Sequence, residues 1–141
     1  MTTESVFTYG APALKFGSGA SNEIGFDLSQ YDVKRALVIT DPGVAATGHP
    51  QRVAEQLGRF GIEAEVFADV HVEPTDASME AAIAFARANG PWDAFVAVGG
   101  GSSIDTAKAV NLLVTNTGEL MDYINAPVGR ARPPAKPLLP L

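Results

Sequence analysis

The chain has 141 residues, 46% of them apolar, a formal net charge of −6 and no cysteine. That length suffices for one domain with a core, the apolar content excludes global disorder, the acidic balance argues against a general nucleic-acid-binding surface, and the lack of thiols excludes disulfides and thiolate chemistry. The opening Met1-Thr2-Thr3-Glu4-Ser5 lacks a signal or transit pattern and no apolar run approaches the roughly 20 residues that span a bilayer, so a cytoplasmic protein without membrane or nucleic-acid partners is expected.

Val6 to Phe16, broken by Gly10-Ala11-Pro12, reads as a hairpin on a sheet edge, followed by a Gly17-Ser18-Gly19 turn and one helical turn over Ala20 to Gly25. Three strand-then-helix units follow. The strands are Ala36 to Thr40, Ala64 to Ala68 and Ala94 to Val98. The first and third are almost wholly apolar, as strands covered on both faces of a parallel sheet must be. The first helix is expected from near Pro50, with Val53, Leu57 and Phe60 on one face and Gly61 closing it. The second is expected after Asp76 as N-cap, with Met79, Ala82, Ile83 and Ala86 facing inward, and Gly90-Pro91 ends it. The third starts at Ser102 or Ser103. Alternation of this kind predicts an α/β fold: a Rossmann-like parallel sheet with flanking helices, right-handed crossovers and the N-terminal edge hairpin.

Five of the ten prolines lie at or after Pro127, interleaved with Arg130, Arg132 and Lys136. Residues 127–141 therefore read as an extended connector after a dinucleotide-binding domain over residues 1–126. Leu138-Leu139-Pro140-Leu141 is a poor natural terminus, and the connector is expected to lead into a further strand, which leaves the domain incomplete.

The chemistry concentrates at Gly99-Gly100-Gly101-Ser102-Ser103. A strand, a glycine turn and a helix start make an anion site, because glycine lets the backbone approach and the first helical N–H groups face the ligand. The familiar dinucleotide spacing would need a third glycine where Ile104 stands, and its acidic partner about 20 residues downstream is missing. Asp41 is the alternative acid. It ends the first strand, and strand C-termini share one sheet edge, so its carboxylate can accept hydrogen bonds from a ribose and repel a 2′-phosphate. Asp41-Pro42-Gly43 as a plain turn is equally compatible. Ser102 and Asp105 have capping-box spacing, which presets the same loop, and Lys108 can pair with Asp105. Glu73, after the second strand, shares the edge and either faces the ligand or is solvated. His49 and His71 lie in different loops without a second histidine at helical spacing, so neither a metal site nor a catalytic residue is expected within the chain.

Ile39-Thr40-Asp41-Pro42-Gly43, Val72-Glu73-Pro74-Thr75 and the run from Gly99 to Lys108, in that order, resemble the iron-containing alcohol dehydrogenase family. His71 to Ser78 and Met121 to Pro127 further resemble its hydroxyacid-oxoacid transhydrogenase branch, although many relatives carry asparagine at the position of Glu73. The resemblance implies an N-terminal NAD-binding domain, with NADP less favoured, and cofactor contacts at Asp41, Glu73, Gly99, Gly100, Gly101, Ser102, Ser103 and Asp105. It implies a helical second domain holding divalent iron or zinc, with ligands outside this chain. It also implies a small alcohol or hydroxy acid substrate, hydride passing from a 4-hydroxy acid to a 2-oxo acid, and a homo-oligomeric full-length enzyme. The fragment alone is then expected to be inactive. The same residues also fit a stand-alone nucleotide-binding module, a polyol dehydrogenase or a sugar-phosphate cyclase relative.

Overall fold

The structure is a computed structural model that describes residues 10–141. A 3-10 turn over Ala20–Glu23 runs directly into α1 (Ile24–Ser29). β1 (Arg35–Thr40) is followed by a short α2 (Pro42–Ala45), then α3 (His49–Gly58) and β2 (Glu63–Phe67). α4 (Asp76–Asn89), β3 (Ala94–Val98), α5 (Gly101–Thr115) and a last turn, α6 (Leu120–Tyr123), complete the order. Of the hairpin expected over Val6 to Phe16, residues 6–9 lie outside the described residues, and residues 10–16 carry no strand. Pro12 has no N–H to offer a ladder there, and Leu14 and Phe16 are exposed.

The three strands are parallel in the order β2-β1-β3, with Ala36 opposite both Ala64 and Ala94, and Thr40 opposite Val98. Side chains alternate between faces. Val38 and Val96 pack with Val53 and Leu57 of α3, while Leu37, Ile39 and Phe95 pack with Ile83 of α4 and Val110 of α5. The faces follow from chirality: β1 to β2 and β2 to β3 run in opposite directions across the sheet, so right-handed crossovers put α3 on one face and α4 on the other. α1 crosses α3 at Gly25, where a Cβ would sit 2.5 Å from the Gln56 carbonyl oxygen, so only glycine allows that approach. Phe60, expected on the buried face of α3, is instead 46% exposed beyond the helix end and meets Phe26 edge-on.

Two helix starts differ from expectation. α4 is capped by Thr75, not Asp76, through a reciprocal box with Ser78. α5 begins at Gly101 with Gly100 as N-cap, and no side chain caps it, so the box expected between Ser102 and Asp105 does not form. Gly100 is the last extended residue, which already places Ser102 inside the first turn.

The tail is held by two buried asparagines, Asn111 within α5 and Asn116 at its C-terminal end. Asn111 donates to the Leu139 carbonyl at 2.8 Å and accepts from its N–H at 3.0 Å. Asn116 accepts from the N–H groups of Ala135 and Lys136 at 2.9 and 2.8 Å. The Phe95 N–H then donates to the Pro140 carbonyl at 2.9 Å, along the edge of β3 not occupied by β1.

Candidate functional site

Neighbouring strands β1 and β3 send their following helices to opposite faces of the sheet: α3 packs on one and α5 on the other. This is a topological switch point, and in open α/β sheets ligands bind in the crevice outside the strand C-termini at such a point. Thr40 fixes its floor. Its buried hydroxyl donates to the Val98 carbonyl at 2.7 Å, tying the two strand ends together.

Asp41 and the glycine turn meet there. Asp41 is half-buried, and its Oδ1 accepts from the Val44 N–H at 2.9 Å, capping α2. The turn reading of Asp41-Pro42-Gly43 is therefore correct locally. The other carboxylate oxygen faces the glycines, because a Cβ built on Gly99 would lie 3.3 Å from Asp41 Oδ2 and 2.5 Å from Ser103 Oγ. Gly99 has φ +151°, which L side chains rarely adopt. Gly99→Ala is expected to reduce unfolding free energy by roughly 1–3 kcal/mol through backbone strain and contact with Ser103. Urea denaturation checks this, and a midpoint unchanged from wild type would show that the turn relaxes.

Gly100 and Gly101 differ in kind. A Cβ at either meets nothing within 4 Å, so both border open space rather than protein. The first N–H groups of α5 have no side-chain acceptor. Ser103 is fully buried, and its Oγ has no hydrogen-bond partner. Uncapped donors with open space beside two glycines are features that suit an anionic group, whereas the Ser103 hydroxyl is closed off beneath Gly99.

Ser102 turns away from this space, donating to the Val72 carbonyl and tying the loop after β2 to the glycine turn. Glu73 is exposed on that loop, one residue from the contact. Asp105 is exposed one turn along α5 and pairs with Lys108 at 3.4 Å. Asp41, Gly99 and Ser103 thus converge, Ser102 supports the turn, and Glu73 and Asp105 lie at its rim. Three features were not read from the sequence: the Thr40 strap, the asparagine clamps and a cavity beside Val98. Asn111 carried a signal, being an amide within the apolar run Val110 to Val114.

Among the described residues, no three His, Asp or Glu side chains converge as a metal site would require, and His49 and His71 stand on separate segments. These residues do not fit a catalytic metal, and no step is derived through one. No helix among them is long and apolar enough to cross a membrane.

Residues 11–141 match the profile of iron-containing alcohol dehydrogenases. The chain is 40% identical to the mitochondrial hydroxyacid-oxoacid transhydrogenase of Mus musculus and 41% identical to that of Caenorhabditis elegans, in each case over 99% of this chain and 30% of the relative. It therefore spans about a third of the length of these curated relatives. NADH-dependent butanol dehydrogenase A of Thermotoga maritima superposes with TM-score 0.80 at 25% identity, over 96% of this chain and 33% of that one. A 1,3-propanediol oxidoreductase superposes with TM-score 0.76 at 29% identity, over 88% and 34%. A parallel sheet with its switch point at Asp41 and Gly99, and a profile match over nearly the whole chain, lead to one assignment: the chain belongs to the iron-containing alcohol dehydrogenase family.

Proposed function

We propose that this chain binds NAD, as the nucleotide-binding part of an oxidoreductase acting on a small alcohol or hydroxy acid. The observation that carries the reading is the approach of the Asp41 carboxylate to Gly99, beside a helix start that no side chain caps. The N–H groups at Gly101 and Ser102 receive the pyrophosphate, while Ser103, fully buried under Gly99, supports the turn from below. Asp41 Oδ2 accepts from ribose hydroxyls, while Oδ1 stays on the Val44 N–H and holds the carboxylate in place. Glu73 and Asp105 border the same nucleotide at the rim. NAD supplies the hydride chemistry when bound; this chain orients it.

The relatives' name, hydroxyacid-oxoacid transhydrogenase, supports a hydroxy acid as hydride donor and an oxo acid as acceptor, and the resemblance of residues 71–78 and 121–127 to that branch suggests the 4-hydroxy and 2-oxo acids. The rest of the proposal follows the family: a divalent iron or zinc held by residues outside this chain, and homo-oligomeric assembly; the cytoplasmic setting rests on the sequence pattern alone, beside relatives whose names place them in mitochondria. Residues 1–126 form the nucleotide-binding unit, and residues 127–141 pack back on it through Asn111, Asn116 and the edge of β3.

Titration calorimetry with NAD tests the binding claim, and absence of saturable binding would remove it. Cofactor choice follows from Asp41. A 2′-phosphate would face its carboxylate, and like charges held close cost several kcal/mol, less where solvent screens them. Asp41→Asn keeps the α2 cap and removes the charge. The NAD-over-NADP affinity ratio is expected to narrow by about tenfold or more. An unchanged ratio would show that Asp41 does not face the ribose.

A further inference from the structure

The switch-point crevice has a second side. On the α3 face, an open cavity of about 400 Å³ runs from Val98, at the end of β3, to the first turns of α3. Its polar lining comes from Ser21 and Asn22 of the 3-10 turn and from His49, Arg52 and Gln56 of α3, and among the described residues no carboxylate lines it. In a chain of net charge −6 with sixteen acids, an arginine cavity free of acids runs against composition. Among the described residues Arg52 makes no ion pair, and its one side-chain partner is His49, whose Nδ1 lies 2.7 Å from Arg52 Nη2. Because arginine can only donate, that contact requires His49 Nδ1 to accept, which leaves the ring's Nε2–H as a donor. The cavity therefore presents donors: the guanidinium, an imidazole N–H, two side-chain amides and a hydroxyl. Val44, Val53 and Val98 supply an apolar wall.

We propose that this cavity is a subsite for the carboxylate of a small organic acid. The fork of Arg52 suits a carboxylate, which takes two parallel hydrogen bonds from one guanidinium. The valine wall suits the short methylene chain behind it, and the volume falls in the range of small-molecule sites. A nucleotide 2′-phosphate is the poorer occupant, because the Asp41 carboxylate is bonded to the Val44 N–H at the cavity's edge and would repel it. The position beside a bound nucleotide rests on the function proposed above, whereas the pocket itself is testable without nucleotide.

The probe is glutarate, a dicarboxylate inert to hydride transfer, titrated calorimetrically into the chain, with the uncharged diamide glutaramide as control. Glutarate is expected to bind saturably, and glutaramide about tenfold more weakly or worse. Arg52→Met, at an exposed position that leaves the fold intact, should weaken glutarate about tenfold or more and leave NAD affinity within about twofold. Gln56→Glu, which adds a carboxylate to the lining, should weaken it similarly. Glutarate affinity unchanged in Arg52→Met overturns the proposal. So does a loss of NADP affinity in that variant without change for glutarate, or an equal loss of NAD and glutarate. Failure of NAD binding in the unmodified chain, with glutarate binding intact, would instead count against the nucleotide reading alone.

Discussion

Gly101→Val is expected to leave the chain folded and to weaken NAD binding by about 100-fold or more, the loss of two charge-assisted hydrogen bonds at roughly 1.5 kcal/mol each. The structure separates the two effects that a glycine substitution usually mixes. Gly101 is the first residue of α5, its φ is not positive, and a Cβ at this position meets nothing within 4 Å, so a side chain starts there into open space without backbone strain. Because a helical Cβ leans toward the N-terminus, the valine branches are expected to crowd the uncapped N–H groups that the pyrophosphate would approach. Gly99 is the opposite case, because its substitution strikes Ser103 and would damage turn and site together. Calorimetric titration of the folded variant decides the matter. Affinity within about twofold of wild type, with the urea midpoint unchanged, would place the phosphate elsewhere.

β1 and β3 were legible because burial on both faces leaves no room for polar residues, so Ala36 to Ile39 and Ala94 to Val98 stand out as apolar runs. Asp41 was legible because the end of such a run fixes the sheet edge, and parallel strands bring separated C-termini together. The helix starts were legible only to within a residue or two. Thr75 and Asp76 are both good caps, and backbone geometry chooses between them. Three consecutive glycines look alike in sequence, although Gly99 alone among them carries a positive φ, and the other two border open space. The Arg52 cavity was hidden for another reason: its lining comes from residues 19–22, 44–56 and 98, which no local pattern joins. The tail reads as an extended connector because its composition is rich in proline and charge, yet its backbone groups are held by partners more than fifteen residues away.

Asn111→Leu tests that tail contact. Leucine is a better helix former than asparagine and is similar in size, so local propensity favours the variant. The structure favours the opposite result. Asn111 is 1% exposed, and its amide satisfies both the N–H and the carbonyl of Leu139. Leucine leaves both groups without a partner next to an apolar helix face, and each buried unpaired group costs about 1–3 kcal/mol. The backbone can escape that cost only by moving out to water, which gives up the packing of Leu139 and the hydrogen bond from Phe95 to Pro140. Either route is expected to lower unfolding free energy by roughly 2–4 kcal/mol, a large share of the 5–15 kcal/mol typical of a domain. Urea denaturation measures the loss, and amide hydrogen exchange locates it: protection at Phe95 should fall more than at Leu37, which lies in the central strand with β2 and β3 paired on either side. A variant with wild-type stability and full protection at Phe95 would mean that β3 holds the tail without the asparagine.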